Sequence, residues 1–377
     1  MTLTDHLNVF GVMVIQLIQY NYQDFEGFFS LLNTIFHLEV LLDLWFPVVC
    51  CIDSVFASQL LLCLAFGGWL TTMMKWWLLD DRPYWWVQET SIYLAEPYQS
   101  DKRPLLRQTY QTCEVGPGSP SEHAMAAVVV VVLFILWLTQ IAKEKIPNTR
   151  VWSWIILACA FSMNMFVVIV ARAYTASHFP HQLLLGGFIG ATLVPTLCVL
   201  VVDPYLWQYG ALSKRDPVVI KFWFILAIIC MVAISVLTYY GLKVFSWDPA
   251  WSIKMAYRYC HHPENISRDS MPIISLLSYI AYMFGWAICV SPEVTHFAYN
   301  TERRSRVFAF LIGLFFMKTF DIIKQVSCHF DIKIYYLTQF ILIIFKSFVY
   351  LRFLPDVSHF PYMFSNPCKV LVNSRKA

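Results

Sequence analysis

The sequence predicts an all-α integral membrane protein with about nine transmembrane helices. Of its 377 residues, 58% are hydrophobic and only 14% are charged, a balance that ordinary soluble domains do not show. The charged residues lie between long apolar runs, and about 20 apolar residues of helix cross the hydrocarbon of a bilayer. Nine such runs do not fit one soluble core, so we expect a single polytopic membrane domain over residues 1–377.

The predicted spans set the topology of the chain. Residues 1–28 contain no Lys or Arg, so they lack the charged start of a cleavable signal peptide and are expected on the lumenal or exterior side. Nine spans then place the tail, residues 354–377, in the cytoplasm. The spans cover about residues 29–47, 57–79, 124–142, 152–171, 182–203, 219–241, 272–291, 306–324 and 334–353. The loops and tail assigned to the cytoplasm carry Lys143, Lys145, Arg150, Lys214, Arg215, Lys221, Arg303, Arg304, Arg306, Lys369, Arg375 and Lys376.

Three further features concern the lumenal side and the partners. The only glycosylation sequon, Asn265-Ile266-Ser267, falls in a loop assigned to the lumen. Of eleven scattered cysteines, Cys113, Cys260 and Cys328 share that side; a disulfide between two of them is open, but we expect buried or interfacial thiols. The 27 Lys and Arg against 24 Asp and Glu indicate neither a nucleic-acid partner nor a polybasic surface.

The first span contains three ionisable residues, His37, Glu39 and Asp43. Such groups inside a span are unfavourable unless they are paired or face a polar cavity, so they form a functional hypothesis. The alternative is that Glu39 and Asp43 lie near a helix end and are hydrated.

The first segment of interest is Lys75–Pro83, at the end of the second span. Lys75 and Arg82 are seven residues apart, about two helical turns, so we expect them on one face, with Pro83 ending the helix. Taken alone, two cations at a membrane surface are also typical of side chains that extend to the lipid head groups.

The second segment, Gly116–His123, combines a turn and a helix start. Gly and Pro at 116–120 form the turn, and Ser121 is a suitable N-cap for the apolar helix that follows. The N-terminus of that helix offers backbone N–H groups to an anion, and His123 in the first turn can donate a proton to a leaving alkoxide.

The third segment, Arg172–His178, closes the fourth span. An Arg side chain presents the fork geometry that suits phosphate oxygens, and a His can attack phosphorus to form a phosphohistidine. Each residue alone is more often an ordinary interfacial side chain. Together the three segments predict a site that binds a phosphate and breaks its ester.

The order and spacing Lys-x6-Arg-Pro, Pro-Ser-x-His and Arg-x5-His resembles the type 2 phosphatidic acid phosphatase and vanadium haloperoxidase superfamily. More closely, the chain resembles the glucose-6-phosphatase catalytic subunit family. The resemblance rests on Arg82-Pro83-Tyr84-Trp85-Trp86, Cys113-Glu114-Val115-Gly116-Pro117-Gly118-Ser119-Pro120-Ser121, Ala176-Ser177-His178-Phe179-Pro180-His181-Gln182 and Asn21-Tyr22-Gln23-Asp24.

The resemblance implies the helical core of that superfamily and a residue set for hydrolysis of glucose 6-phosphate, without metal or cofactor. His178 would be the nucleophile and His123 the general acid. The phosphoryl oxygens would be held by Lys75, Arg82, Ser121 and Arg172. It also implies an endoplasmic-reticulum membrane enzyme whose site faces the lumen, surrounded by membrane lipid and supplied by a separate glucose 6-phosphate transporter.

Several positions depart from the family pattern. Glu122 stands where the family has Gly, and a carboxylate about 4 Å from a phosphate dianion would cost on the order of 4 kcal/mol per charge. His37 and Gly68 also differ, and Gln182 stands where the wider superfamily has an Asp that orients the nucleophile. One hypothesis is that His37 pairs with Glu122.

These departures keep alternatives open beside the leading interpretation, a lumenal phosphohydrolase. The first is a catalytically weakened relative with a binding or regulatory role, favoured by Glu122, His37 and Gly68. The second is the same chemistry on another phosphate ester. A transporter would explain the spans but not the phosphatase spacing of the charges.

Overall fold

The computed structural model describes residues 2–94, 103–142, 149–207, 217–266, 270–289 and 306–358, and every regular element in these ranges is a helix. Many of the predicted cytoplasmic cations, Ser267 of the sequon and tail residues 359–377 lie outside them. The helices are α1 (Leu3–Asn21), α2 (Glu26–Ile35), α3 (Leu38–Val40), α4 (Phe46–Ile52), α5 (Ser54–Leu78), α6 (Pro83–Glu89), α7 (Glu122–Ala142), α8 (Thr149–Tyr174), α9 (Pro180–Leu197), α10 (Pro217–Val244), α11 (Trp251–Tyr259), α12 (Pro272–Cys289), α13 (Arg306–Ser327), α14 (Ile332–Phe348) and α15 (Leu354–Ser358).

The prediction of an all-α membrane protein is confirmed. Within the described ranges, seven helical stretches are long and apolar enough to cross a membrane, and the pair Gln23–Ile35 and Leu38–Ile52 meets the same test when taken together. The remaining predicted span coincides with α13, which carries Lys318, Asp321 and Lys324 in its second half. The count of nine is therefore approximate, because these charges interrupt the eighth apolar run, residues 306–324.

The chain divides into two compact units. The first comprises residues 1–38, 66–195 and 232–276, and in it α7, α2 and α1 all pack against α8. The buried core of this unit includes Val12, Trp85, Tyr174 and Phe179. All three segments singled out in the sequence belong to this unit.

Helix α1 lies within the stretch for which the sequence predicted only a lumenal location. Thr2 and Asp5 form a reciprocal N-terminal cap, in which each side chain accepts from the other residue's backbone N–H at 3.2 and 2.7 Å. At the other end, the Gln19 amide donates to the carbonyl oxygens of Arg107 and Tyr174 at 2.8 and 2.7 Å. These bonds fix α1 to the end of α8 and to the loop before the second segment.

A disulfide joins Cys113 to Cys260, whose Cα atoms are 5.6 Å apart, while Cys328 is an exposed thiol outside this disulfide. The expectation of buried or interfacial thiols at all three positions is therefore wrong for the first pair. Cys260 follows the last residue of α11, and α11 packs against α6. Packing between segments far apart in the sequence thus brings the two cysteines within bonding distance.

The second unit comprises residues 39–65, 196–231 and 277–377. In it the Asp43 carboxylate accepts from Tyr282 Oη at 2.8 Å and from Lys346 Nζ at 2.5 Å, and Lys324 Nζ lies 3.6 Å away. Asp43 is therefore paired with cations rather than simply hydrated, as an ionisable group within a span requires.

Candidate active site

The first segment is not one continuous helix. Helix α5 ends at Leu78, and Leu79 adopts a left-handed conformation with φ of 47° that no helix can continue. Arg82 lies in extended backbone, and Pro83 starts α6, where its fixed φ suits the first helical position. The expectation that Lys75 and Arg82 share one helical face is therefore wrong, although both side chains are buried.

Arg82 is held largely by main-chain carbonyls. Its Nε donates to Gly116 at 2.8 Å, and its Nη2 donates to Val115 and Pro117 at 3.4 Å each. Its Nη1 donates to the carbonyl of Ser177 at 3.1 Å. The guanidinium thus connects the loop of the second segment to the turn that ends the third segment.

The second segment forms the expected turn and helix start. Gly116 has φ of 91°, and Ser121 precedes α7, where its Oγ accepts from the Ala124 N–H at 3.5 Å. The Ser121 N–H donates to the carbonyl of Gln182 at 3.1 Å. The prediction of an N-cap is confirmed, but the amide of Ser121 itself is already occupied and is not available to an anion.

The third segment places His178 in the turn between α8 and α9. Ala176, with φ of 52°, reverses the chain after α8, and His178 is 1% exposed. Its Nδ1 lies 2.9 Å from the carbonyl oxygen of Gly118. Because a carbonyl oxygen only accepts, this contact assigns the ring proton to Nδ1 and leaves the lone pair on Nε2.

The Nε2 atom of His178 faces a cationic group. It lies 3.2 Å from Arg82 Nη1 and 3.4 Å from Glu114 Oε2. Burial and the neighbouring Arg82 lower the pKa of His178 to about 3, so the imidazole is neutral at physiological pH. A neutral imidazole with an unprotonated Nε2 has the protonation state that a nucleophile requires, and here that nitrogen accepts from Arg82 Nη1.

Glu114 lies at the centre of the site, where the sequence analysis assigned it no role. Its Oε2 accepts from Arg82 Nη1 at 2.9 Å, its Oε1 accepts from Arg172 Nη2, and Oε1 lies 3.9 Å from His123 Nδ1. Burial raises the pKa of this carboxyl, but Arg172 and Arg82 outweigh burial and hold the pKa well below its ordinary value. A signal was present, since Glu114 is the only charged residue between Arg107 and Glu122.

Arg172 retains a donor that no protein atom accepts. The side chain is 1% exposed, and within the described part of the chain its Nε is buried without a hydrogen-bond partner. A buried, unpaired N–H of a guanidinium is unfavourable by about 1 to 3 kcal/mol or more. An anion bound beside Arg172 would satisfy it.

Lys75 and His123 complete the set. Lys75 Nζ donates to Glu122 Oε2 at 3.2 Å, so the residue that departs from the family pattern engages one of the predicted phosphate-binding cations. The ring centroids of His123 and His37 are 5.0 Å apart in an edge-to-face arrangement. Pairing of His37 with Glu122 stays a prediction.

Residues 56–205 match the PAP2 superfamily. The chain is 34% identical over 283 residues to glucose-6-phosphatase catalytic subunit 1 of Haplochromis nubilus, covering 74% of this chain and 75% of that protein. It is 31% identical over 294 residues to glucose-6-phosphatase 2 of Homo sapiens, covering 77% and 78%. No solved structure matches the chain.

Proposed function

Because the chain belongs to the glucose-6-phosphatase family, we propose that it hydrolyses glucose 6-phosphate to glucose and phosphate through a phosphohistidine at His178. It is a phosphoric monoester hydrolase of the membrane by this relationship. The reaction would be the last step of gluconeogenesis and of glycogen breakdown, since it releases free glucose.

One observation carries the proposal: a single carboxylate bridges the two arginines and lies beside both histidines. The Glu114 oxygens contact Arg82 and Arg172 and lie 3.4 and 3.9 Å from His178 Nε2 and His123 Nδ1. Two phosphoryl oxygens in the same position would meet the same donors. The free Nε of Arg172 supports a ligand with more oxygens than a carboxylate has.

In the first chemical step, the Nε2 lone pair of His178 attacks phosphorus. The bond between phosphorus and the ester oxygen breaks, its electron pair stays on that oxygen, and His123 donates a proton to it. The negative phosphoryl group favours the protonated form of His123 needed for this role. Arg82, Arg172 and Lys75 would stabilise the charge on the phosphoryl oxygens, as preorganised donors do.

In the second step, water attacks the phosphohistidine. The bond between phosphorus and His178 Nε2 breaks and its electron pair returns to the ring, while His123 accepts a proton from the water. Phosphate leaves, and both histidines regain their starting states.

We place the site on the lumenal side of the endoplasmic-reticulum membrane. The disulfide between Cys113 and Cys260 supports this side, because such bonds form and persist in oxidising compartments, and Glu114 of the site is adjacent to Cys113. A lumenal site requires that glucose 6-phosphate reach the lumen, so we propose a separate transporter as a functional partner.

A second candidate is a weakened relative that binds phosphate esters but turns them over slowly. The observation that favours it is that Lys75, Arg82 and Arg172 are each paired with a carboxylate, from Glu122 or Glu114. A substrate would have to compete with these carboxylates for the cations.

Phosphate release from glucose 6-phosphate by microsomes expressing the chain decides between the two. The unmodified chain, His178→Ala and Glu122→Gly are compared in detergent-opened and in intact vesicles. Activity that His178→Ala abolishes and that rises on opening supports a lumenal hydrolase. Activity that appears only in Glu122→Gly supports the weakened relative, and activity retained in His178→Ala contradicts the phosphohistidine.

A further inference from the structure

Asp80, in the first segment, contacts the second segment and the start of α9, which follows the third. Its Oδ2 accepts from Ser119 Oγ at 2.7 Å and from Gln182 Nε2 at 2.9 Å, and it lies 3.4 Å from His181 Nε2. Its main-chain oxygen accepts from the Gly118 N–H at 2.7 Å. One residue of the first segment therefore holds the loop of the second segment and the helix that follows the third.

The Gly118 peptide is the group that Asp80 fixes, and it is also the group that orients His178. Its N–H bonds to Asp80, the next side chain, Ser119, bonds to the Asp80 carboxylate, and its carbonyl oxygen lies 2.9 Å from His178 Nδ1. Only glycine fits at this position, because a Cβ on residue 118 would lie 2.4 Å from the Asp81 carbonyl oxygen.

Gln182 bonds into this network. Its Oε1 accepts from the Phe179 N–H at 3.0 Å, and its Nε2 donates to the Asp80 carboxylate and to the Asp81 carbonyl at 2.9 and 2.7 Å. Gln182 stands four residues after His178, where the wider superfamily has the Asp that orients the nucleophile. Here the contact to His178 Nδ1 comes from the Gly118 carbonyl instead.

We propose that Asp80 is the positioning residue that orients the nucleophile through the Gly118 peptide. The proposal rests on His178 being the nucleophile of the proposed function. A neutral imidazole has two tautomers, and only the one with its proton on Nδ1 presents a lone pair at Nε2. Asp80 keeps the Gly118 carbonyl directed at Nδ1 and so selects that tautomer.

The test compares Asp80→Asn with Asp81→Asn. The Asp80→Asn amide has the shape of the carboxylate but only one acceptor oxygen, whereas Asp80 accepts from Ser119 and Gln182 with Oδ2 and from the Asp81 N–H with Oδ1 at 3.1 Å. Asp81 is the adjacent acid, and its carboxylate accepts from Trp85 Nε1 at 2.7 Å, a bond that the Asn oxygen can keep. Two quantities are measured. The first is kcat for glucose 6-phosphate, and the second is the affinity for phosphate and for vanadate, determined from the protection that each gives against thermal unfolding.

Vanadate and phosphate separate positioning from general structural damage. Vanadate becomes five-coordinate when Nε2 bonds to the metal, so it needs a correctly oriented His178, whereas phosphate binding needs mainly the cations. We expect Asp80→Asn to lower kcat by about 10- to 100-fold and to weaken the binding of vanadate by about tenfold. The affinity for phosphate should change by less than about threefold. Asp81→Asn should have the same kcat and the same affinities as the unmodified chain.

Equal weakening of phosphate and vanadate, or unchanged vanadate binding, would overturn the proposal. If Asp80→Asn does not accumulate as folded protein, Ser119→Ala is used instead, because it removes one hydrogen bond to the same carboxylate. Ser119→Ala should also weaken vanadate binding more than phosphate binding, but by a smaller factor. The binding measurements do not depend on turnover. An unmodified chain that hydrolyses nothing would therefore refute the proposed function, while the phosphate and vanadate split would still decide the role of Asp80.

Discussion

The carboxylate of Glu122 lies 3.2 Å from the ammonium nitrogen of Lys75, and the two side chains are only 17% and 11% exposed. Glu122 is the main departure from the family pattern, and Lys75 was predicted to hold a phosphoryl oxygen. The negative charge of Glu122 is therefore neutralised by Lys75, one of the predicted site residues. If Lys75 binds phosphate as proposed, phosphate and Glu122 compete for it.

Glu122→Gly should strengthen the binding of phosphate. The change frees Lys75 and removes a like charge, and even a partial recovery of the roughly 4 kcal/mol per charge at 4 Å gives about a tenfold lower inhibition constant. The measurement is inhibition of hydrolysis by phosphate. Glu264→Gln, in an exposed loop, is the control. An inhibition constant that rises in Glu122→Gly would show that the Lys75 pair supports binding.

Glu114→Gln should destabilise the ligand-free protein and increase its stabilisation by phosphate. Removing this carboxylate leaves the charges of Arg82 and Arg172 buried without a counter-ion, and breaking such a pair costs about 3 to 5 kcal/mol. Phosphate can supply the missing charge, and a ligand that binds only the folded state raises its stability. Thermal unfolding with and without phosphate measures both effects. A smaller phosphate shift than in the unmodified chain would argue that Glu114 helps to hold the ligand.

His123→Ala should affect substrates according to their leaving groups. A general acid contributes about 10²- to 10⁴-fold when the departing alkoxide is poor. Hydrolysis of glucose 6-phosphate should fall by about that factor, whereas 4-nitrophenyl phosphate, whose leaving group needs no proton, should lose less than about tenfold. His262→Ala, in an exposed loop, is the control. Equal losses on both substrates would mean that His123 has another role.

The stability of the protein should fall as the pH falls below about 6.5. The pKa of His178 is lowered to about 3 in the folded state, so only the unfolded chain takes up this proton between the two values. The unfolded state then binds more protons, and stability decreases by up to about 1.4 kcal/mol per pH unit. The lowered pKa of Glu114 acts in the same direction at more acidic pH.

Thermal midpoints between pH 7.5 and pH 4.5 test this sign. His178→Gln lacks the titrating group, so its midpoint should fall less than that of the unmodified chain over the same range. Parallel curves for the two proteins would show that His178 titrates normally in the folded state.

Loss of the disulfide should lower both the stability of the protein and its affinity for phosphate. Cys260→Ser opens a bond between residues 147 positions apart, and removal of a native disulfide typically costs about 2 to 5 kcal/mol. Because Glu114 follows Cys113 directly, phosphate binding should also weaken. Cys328→Ser, at an exposed thiol outside the disulfide, should change neither property. A Cys260→Ser protein that keeps the normal thermal midpoint would contradict this expectation.

The sequence predicted the helical membrane fold and the turn and N-cap of the second segment well, because both depend on local information. Apolar runs of span length specify helices wherever they occur, and the spacing within each segment fixes which polar residues stand at the ends of those helices. It predicted the end of α5 poorly. Leu79 adopts a left-handed backbone conformation, but leucine is not a residue type that indicates one. The prediction that Lys75 and Arg82 share one helical face was therefore wrong.

By itself the sequence determined the helical membrane fold, and it supplied the prediction of six site residues and the unusual residue Glu122. Only the tertiary structure decided which charges meet. It paired Glu122 with Lys75, placed Glu114 between Arg82 and Arg172, and joined Cys113 to Cys260. These contacts connect residues from 32 to 147 positions apart, and no local pattern specifies them. They arise from the packing of helices, which fixes where side chains remote in sequence come within hydrogen-bonding or bonding distance.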